Sequence, residues 1–155
     1  MQRMFLLLVF FTAVVIAADQ VPFVAQFTSS VPSGTSPGCD AGMIPVALAG
    51  IGQATHMGRF TESQTHCVNP TTFAFSAGRF LFTGANGDSV SGTYSGQLVV
   101  TTPTTAAIYG VFVITGGTGR FAGATGGGNA TGTLDFVTGE ANDLLLKGTI
   151  SRPHQ

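Results

Sequence analysis

The chain has 155 residues, of which 44% are hydrophobic and 8% are charged, and its formal net charge is −1 at pH 7. This composition excludes a disordered chain, which would be poor in apolar residues, and a nucleic-acid-binding domain, which usually carries a basic face. The length is that of one domain, and the low charge favours a surface partly covered by self-association, or a sheltered cavity.

The N-terminus has the pattern of a secretory signal peptide. Arg3 supplies a positive charge, Phe5 to Ala17 is almost wholly apolar, and small residues occupy positions 17 and 18. This apolar run is shorter than the about 20 residues that a membrane span needs. We therefore expect residues 1–18 to be removed and the mature chain to be secreted, outside the cell or into the periplasm, without a membrane span.

The mature chain reads as a series of short strands. Residues 19–42 are predicted to form an extended segment and loop, with a strand over Phe23 to Phe27, and residues 43–155 a β-barrel domain. Further strands are predicted, in chain order, over Ile44 to Ala54, Thr55 to Thr61, Gln64 to Val68, Thr71 to Ala77, Arg79 to Gly84, Ser89 to Val100, Ala107 to Thr115, Ala130 to Val137 and Leu144 to Ser151. Short strands separated by turn residues favour an antiparallel barrel or a sandwich.

Two turns are predicted from residues that accept unusual backbone angles. Asn86 and Gly87 form a tight hairpin signal, and Asp88 is expected to accept hydrogen bonds from the turn backbone. The Gly-Gly-Thr-Gly run is not followed by Lys-Ser or Lys-Thr and a helix, so it is not a phosphate-binding loop. We assign a structural turn role to its glycines, which are Gly116, Gly117 and Gly119.

The two cysteines, Cys39 and Cys67, both lie outside the predicted signal peptide. In an exported chain such a pair predicts a disulfide, which would tie the N-terminal segment to the third or fourth strand. The closed loop would stabilise the fold by about 3 kcal/mol in the chain-entropy treatment. Two free thiols are the alternative.

The tripeptide Gly-Arg-Phe occurs three times, with its arginines at Arg59, Arg79 and Arg120. Neighbouring strand residues point to opposite faces, so each copy is expected to bury its Phe and expose its Arg. The functional interpretation is a ring of arginines at one rim that holds an anionic ligand, and the alternative is a chance repeat. Tyr94 and Tyr109 are further candidates for lining a cavity, although such tyrosines more often pack at a sheet edge.

Candidates for metal binding or catalysis are few. His56 and His66 with Glu62 would make a two-histidine, one-carboxylate set, but the spacing is not that of a metal site, and rim or surface histidines are favoured. Asp135 is expected to be solvated if Leu134 faces inward, and buried if the register is reversed. We assign no catalytic, cofactor-binding or metal-binding residue and expect no cofactor.

One segment carries a family resemblance. Residues 113–126 read Val-Ile-Thr-Gly-Gly-Thr-Gly-Arg-Phe-Ala-Gly-Ala-Thr-Gly, which resembles a signature of allene oxide cyclases and plant dirigent proteins. That resemblance covers the C-terminal half, and most of the mature chain is similar to a group of exported bacterial proteins without assigned activity. The resemblance implies an eight-stranded antiparallel up-and-down barrel, with dimers or trimers common among relatives, and it carries over no active site.

Two functions are therefore compared. The first is a secreted, non-enzymatic barrel that binds a small apolar or weakly anionic ligand, or acts as an assembly module. The second is an enzyme of the cyclase or isomerase kind, in which a dry cavity steers a reactive intermediate with few polar groups.

Overall fold

A computed structural model describes residues 19–31 and 38–153 of the chain. Eight antiparallel strands close into one barrel, in which each strand pairs with its neighbours in sequence and the last pairs with the first. The strands are β1 (Gln20–Ser30), β2 (Ile44–Ala54), β3 (Gly58–Val68), β4 (Ala74–Gly84), β5 (Ser89–Thr102), β6 (Thr105–Gly117), β7 (Gly126–Asp135) and β8 (Ala141–Ser151). The predicted all-β, eight-stranded up-and-down barrel is confirmed, while the predicted signal peptide lies outside the described residues.

The barrel begins earlier than the sequence predicted. Strand β1 pairs with both β2 and β8, so the segment 19–42 contributes a full wall strand rather than only a leading extension. Its alternation explains this, because Phe23, Ala25 and Phe27 all point inward and are buried.

Two predicted breaks between strands do not exist. Thr55 to Thr61 and Gln64 to Val68 were predicted as separate strands, but most of this region is the single strand β3. Strand β4 likewise runs through Gly78, with a bulge at Ala77, whose φ is 53°. Phe73 is not in a strand and does not share a face with Phe75, because it lies in the preceding turn at φ 59° and is 38% exposed.

The two ends of the barrel differ. At the capped end, where β6 leads to β7, the short 3₁₀ helix Gly119–Phe121 and the following Ala124 pack over the interior together with Met57. The cavity end is the opposite end, where β1 finishes and β2 starts. Phenylalanines fill the capped half of the interior, and Phe60 and Phe82 stack there with ring centroids 4.4 Å apart.

Glycines on the inner face make room for these rings. A Cβ at Gly92 would lie 2.6 Å from the Phe80 ring, and one at Gly78 would lie 2.7 Å from the Tyr94 ring. An eight-stranded barrel is only just wide enough for its side chains. Large rings therefore fit because the neighbouring strand presents a glycine, and this explains much of the glycine content.

The predicted disulfide is present. Cys39 and Cys67 are bonded with their Cα atoms 5.9 Å apart, a normal separation for such a bond. Cys67 belongs to β3, so the bond joins the segment before β2 to the third strand. The prediction had named the third or the fourth strand.

Exposed apolar side chains on the outer wall include Ile51 of β2, Leu81 of β4 and a run of three on β6. Tyr109, Val111 and Val113 occupy successive outward positions there and are each at least half exposed. Within residues 19–31 and 38–153, no helix is long and apolar enough to cross a membrane.

Candidate functional site

A cavity of about 280 Å³ occupies the half of the barrel nearest the cavity end. The packed rings of Phe80, Phe82 and Phe112 form part of its wall on the side of the capped end, and Val31 and Phe136 lie at the ends of the strands around its mouth. Most of its wall is apolar, with further contributions from Val46, Leu48, Phe75, Leu98, Ile108 and Leu134. Ligand sites are commonly of this kind, mainly apolar with a few polar groups that fix orientation.

The polar groups of this cavity centre on a histidine and a tyrosine. His66 Nδ1 and Tyr94 Oη are 2.7 Å apart and form a hydrogen bond. The Phe75 ring packs against both, with its centroid 5.5 Å from that of His66 and 6.0 Å from that of Tyr94. The Tyr94 ring in turn packs against Gly78. Packing on several sides therefore holds the pair in one orientation.

Burial sets the protonation of this pair. Removal from water disfavours the charged imidazolium, which lowers the pKa of His66 from 6.5 to about 4. Burial also raises the pKa of Tyr94, and the Glu62 carboxylate adds to that effect. Both side chains are therefore neutral near pH 7.

A second polar cluster includes Gln64 of the cavity wall. Ser29 donates a hydrogen bond to Glu62 Oε1, and Gln64 Nε2 lies 3.3 Å from Ser29 Oγ and 3.4 Å from Glu62 Oε1. Burial raises the pKa of Glu62 to about 7, although the hydrogen bonds from Ser29 and Gln64 oppose the rise. Glu62 Oε2 is buried and has no hydrogen-bond partner among the described residues. Glu62 does not itself line the cavity.

The charged residues are distributed unevenly between the two ends. Asp40, Asp135 and Glu140 lie in or beside the turns of the cavity end, and Asp135 Oδ1 accepts backbone N–H groups of the β7–β8 turn. No Lys or Arg lines the cavity or occurs in the turns of that end, as far as the described residues extend. The cavity end is therefore acidic as well as apolar.

The three arginines predicted to form a rim do not surround the cavity. The expected burial of the repeats is seen, because Phe60, Phe80 and Phe121 are all buried. However, Arg59 begins β3 at the capped end, Arg79 lies on the outer face of β4, and Arg120 belongs to the 3₁₀ helix. No shared anion site results from these positions.

The two predicted turns meet at the capped end. Arg120 Nε lies 2.9 Å from Asp88 Oδ2, and Asn86 Nδ2 donates to the same oxygen over 2.8 Å. The hydrogen bond from Arg120 is the main reason that the pKa of Asp88 is lowered. Gly87 and Gly119 have φ of 86° and 57°, where glycine is favoured. This network is structural and lies far from the cavity.

The remaining glycines of the Gly-Gly-Thr-Gly run differ from each other. Gly117 ends β6, and a Cβ there would overlap the Ser89 carbonyl oxygen. A Cβ at Gly116 would meet nothing closer than Ser91 Oγ at 3.7 Å. Of these two positions, only 117 requires a glycine, because of this close approach.

The other predicted site residues separate. Tyr109 faces outward and is 54% exposed, so only Tyr94 of the two tyrosines lines the cavity. His56 is exposed at the capped end, where its Nε2 lies 3.0 Å from the Pro22 carbonyl oxygen, while His66 is inside. Among the described residues, no three His, Cys, Asp or Glu side chains converge as metal ligands would.

A larger depression, of about 970 Å³, lies on the outer wall across β8, β1, β2 and β3. It is open to water, and polar side chains such as Gln26, Gln53 and Arg59 lie in its lining beside Ile51, Phe60 and Leu144. A depression that leaves a ligand in contact with water is a poorer site than the smaller internal cavity.

Sequence reasoning missed the inward position of His66 and Glu62. The signal was present, because Phe60, Glu62, Gln64 and His66 recur at every second position of one strand. Dividing this stretch into two short strands removed the continuity that would have placed all four on the inner face.

Searches of protein families, of curated proteins and of solved structures find no match for this chain.

Proposed function

We propose that this chain is a binding protein for a small, mainly apolar molecule, which it holds in the cavity at one end of the barrel. The observation that supports this most strongly is the division of the interior. The capped half is packed with aromatic rings, whereas the other half leaves about 280 Å³ between apolar walls.

The size of the cavity limits the ligand. If a carbon-sized group takes about 30 Å³, the share of a water molecule in the liquid, the cavity holds roughly ten non-hydrogen atoms. Apolar cavities of this kind stay dry and bind apolar molecules. A ligand of roughly that size would fill a poorly hydrated space and gain dispersion contacts with the apolar side chains of the cavity wall.

Naphthalene is a suitable probe because it has ten carbon atoms and no polar group. In a titration followed by NMR, we expect shifts to concentrate on Phe75, Leu98 and Ile108. Ala130→Leu fills the cavity from β7 and is expected to weaken binding about tenfold or more. Thr131→Leu is the matched control, because residue 131 points outward from the same strand and should leave binding unchanged.

Absence of naphthalene binding, or equal binding by Ala130→Leu and the wild type, would contradict the proposed function. Circular dichroism of both variants would establish that the fold is retained.

A second candidate, a cyclase or isomerase, is favoured by one observation. Glu62 is a buried carboxyl with an unpaired oxygen and a pKa raised to about 7, and such perturbed groups concentrate at functional sites. Binding without catalysis is preferred here because Gln64, not Glu62, faces the cavity. Mass spectrometry of the bound ligand after incubation with the protein tests the enzyme candidate, since only an enzyme would return a rearranged molecule. Glu62→Gln should then stop the conversion.

A further inference from the structure

The hydrogen-bond capacity of the His66–Tyr94 pair restricts the ligand further than size and apolarity do. This inference rests on the proposed function and concerns the same cavity. His66 Nδ1 and Tyr94 Oη form one hydrogen bond with each other. Neither group has another hydrogen-bond partner among the described residues.

The pair leaves one donor unused in either arrangement of its protons. If Tyr94 donates to Nδ1, the neutral imidazole carries its proton on Nε2, and this N–H is free. If Nδ1 donates to Tyr94, the phenol O–H is free instead. An apolar cavity offers such a donor no water, so a ligand atom that accepts a hydrogen bond would relieve its desolvation cost.

A carboxylate is a poor match for that donor. Neither member of the pair is charged near neutral pH, and no Lys or Arg lines the cavity among the described residues. Asp135 and Glu140 lie by the mouth, and the buried Glu62 is one hydrogen bond away through Gln64. An anionic ligand would lose its water and find no positive charge in the cavity lining among the described residues to replace it.

An ammonium group is also a poor match. It carries three donors, whereas the pair offers one free acceptor, and the Asp135 carboxylate of the lining lies at the mouth and already accepts two backbone N–H groups. An ammonium group placed at the pair would therefore leave most of its hydrogen bonds unmade. An uncharged oxygen avoids both difficulties.

We infer that the ligand is an uncharged, mainly apolar molecule with one oxygen-containing group, a ketone, ester or alcohol, which accepts a hydrogen bond from the His66–Tyr94 pair.

The test compares the binding of three nine-carbon ligands, and of naphthalene, to the wild-type protein at pH 7.5. 2-Nonanone is the neutral oxygen probe, nonanoate the anionic probe, nonylammonium the cationic probe, and naphthalene the probe without oxygen. Isothermal titration calorimetry should give 2-nonanone a Kd at least about tenfold lower than either charged probe.

The double variant His66→Phe/Tyr94→Phe removes the donor and keeps the aromatic bulk. We expect it to bind 2-nonanone about tenfold more weakly than the wild type, and naphthalene within about twofold of the wild type. Retained naphthalene binding shows that the variant is folded and that its cavity is intact.

Four results would overturn the inference. Nonanoate or nonylammonium binding as tightly as 2-nonanone would do so, as would unchanged 2-nonanone binding by the double variant. Absence of 2-nonanone binding to a protein that binds naphthalene would overturn the inference and leave the proposed function in place. Absence of both would overturn both. Because the first comparison uses only the wild type, a variant that fails to fold does not block the decision.

Discussion

Glu62 and His66 point into the same interior from one strand, yet burial shifts their pKa values in opposite directions. The pKa of Glu62 is raised to about 7 and that of His66 is lowered to about 4. Folding therefore favours the protonated form of the carboxyl and the unprotonated form of the imidazole.

The two shifts have opposite consequences for the free energy of unfolding. Between pH 4.5 and 7 the folded state keeps a proton on Glu62 that the unfolded state has lost, so stability falls as the pH rises. Between pH 4 and 6.5 the unfolded state holds a proton on His66 that the folded state lacks, so stability rises with pH. Over the shared range the two slopes, each about 1.4 kcal/mol per pH unit, nearly cancel.

Single variants should expose each slope. Glu62→Gln removes the falling contribution, so its stability should rise relative to wild type from pH 4.5 to 6.5. His66→Phe should show the opposite trend and lose stability over the same range. Urea unfolding at several pH values measures the free energy of unfolding of the wild type and of both variants. The contributions of exposed titratable groups cancel in the differences, because these groups are common to all three proteins. Parallel curves for the two variants would contradict the assigned burial.

Gly119 carries a local requirement that can be tested separately. Its φ is 57°, and a Cβ there would overlap the Asp88 carboxylate that Arg120 contacts. Gly119→Ala should therefore lower the free energy of unfolding by about 1–3 kcal/mol. Gly116→Ala is the control, expected to stay within about 0.5 kcal/mol because nothing lies close to the added methyl. Equal effects of the two substitutions would contradict the geometry.

At the scale of the strands, the barrel interior depends on pairs of glycine and phenylalanine. Gly92 of β5 lies beneath the Phe80 ring of β4. A methyl group there would force the ring aside or push the backbone from the neighbouring strand. Overpacking of this kind usually costs about 1–3 kcal/mol.

A double-mutant cycle tests this contact. Gly92→Ala should be destabilising by that amount, and combining it with Phe80→Leu should cost less than the sum of the two single changes. We expect a coupling of about 1 kcal/mol, measured by urea unfolding. Additive effects would show that the cost arises at the Val113 carbonyl oxygen, the atom nearest to the added Cβ, and not at the ring.

The same pairs explain which parts of the fold the sequence could predict. Alternation of apolar residues predicted short strands in a barrel or a sandwich, the family resemblance implied the closed barrel of eight strands, and the cysteine pair predicted the disulfide. Gly78 divided the predicted β4, and the polar Glu62 and Ser63 were left between two predicted strands in the region of β3, so Glu62 and His66 were not placed on one inner face. The bulge at Ala77 could not be predicted, because it depends on how Gly78 and Tyr94 fit across two strands.

For the whole molecule, the barrel interior divides into a packed half and a half that contains a cavity. The capped half holds the packed rings, the Asp88–Arg120 contact and most of the basic residues, and the other half holds the cavity and acidic turns. Predicted self-association stays a prediction.

The most direct test is a crystal structure with 1-bromonaphthalene, whose bromine is located by anomalous scattering. We expect one bromine peak inside the barrel, between Phe75, Leu98 and Ile108, with the strands closed around it. A peak only in the outer depression beside Arg59 and Gln53, or a barrel interior too collapsed to admit the probe, would contradict the account.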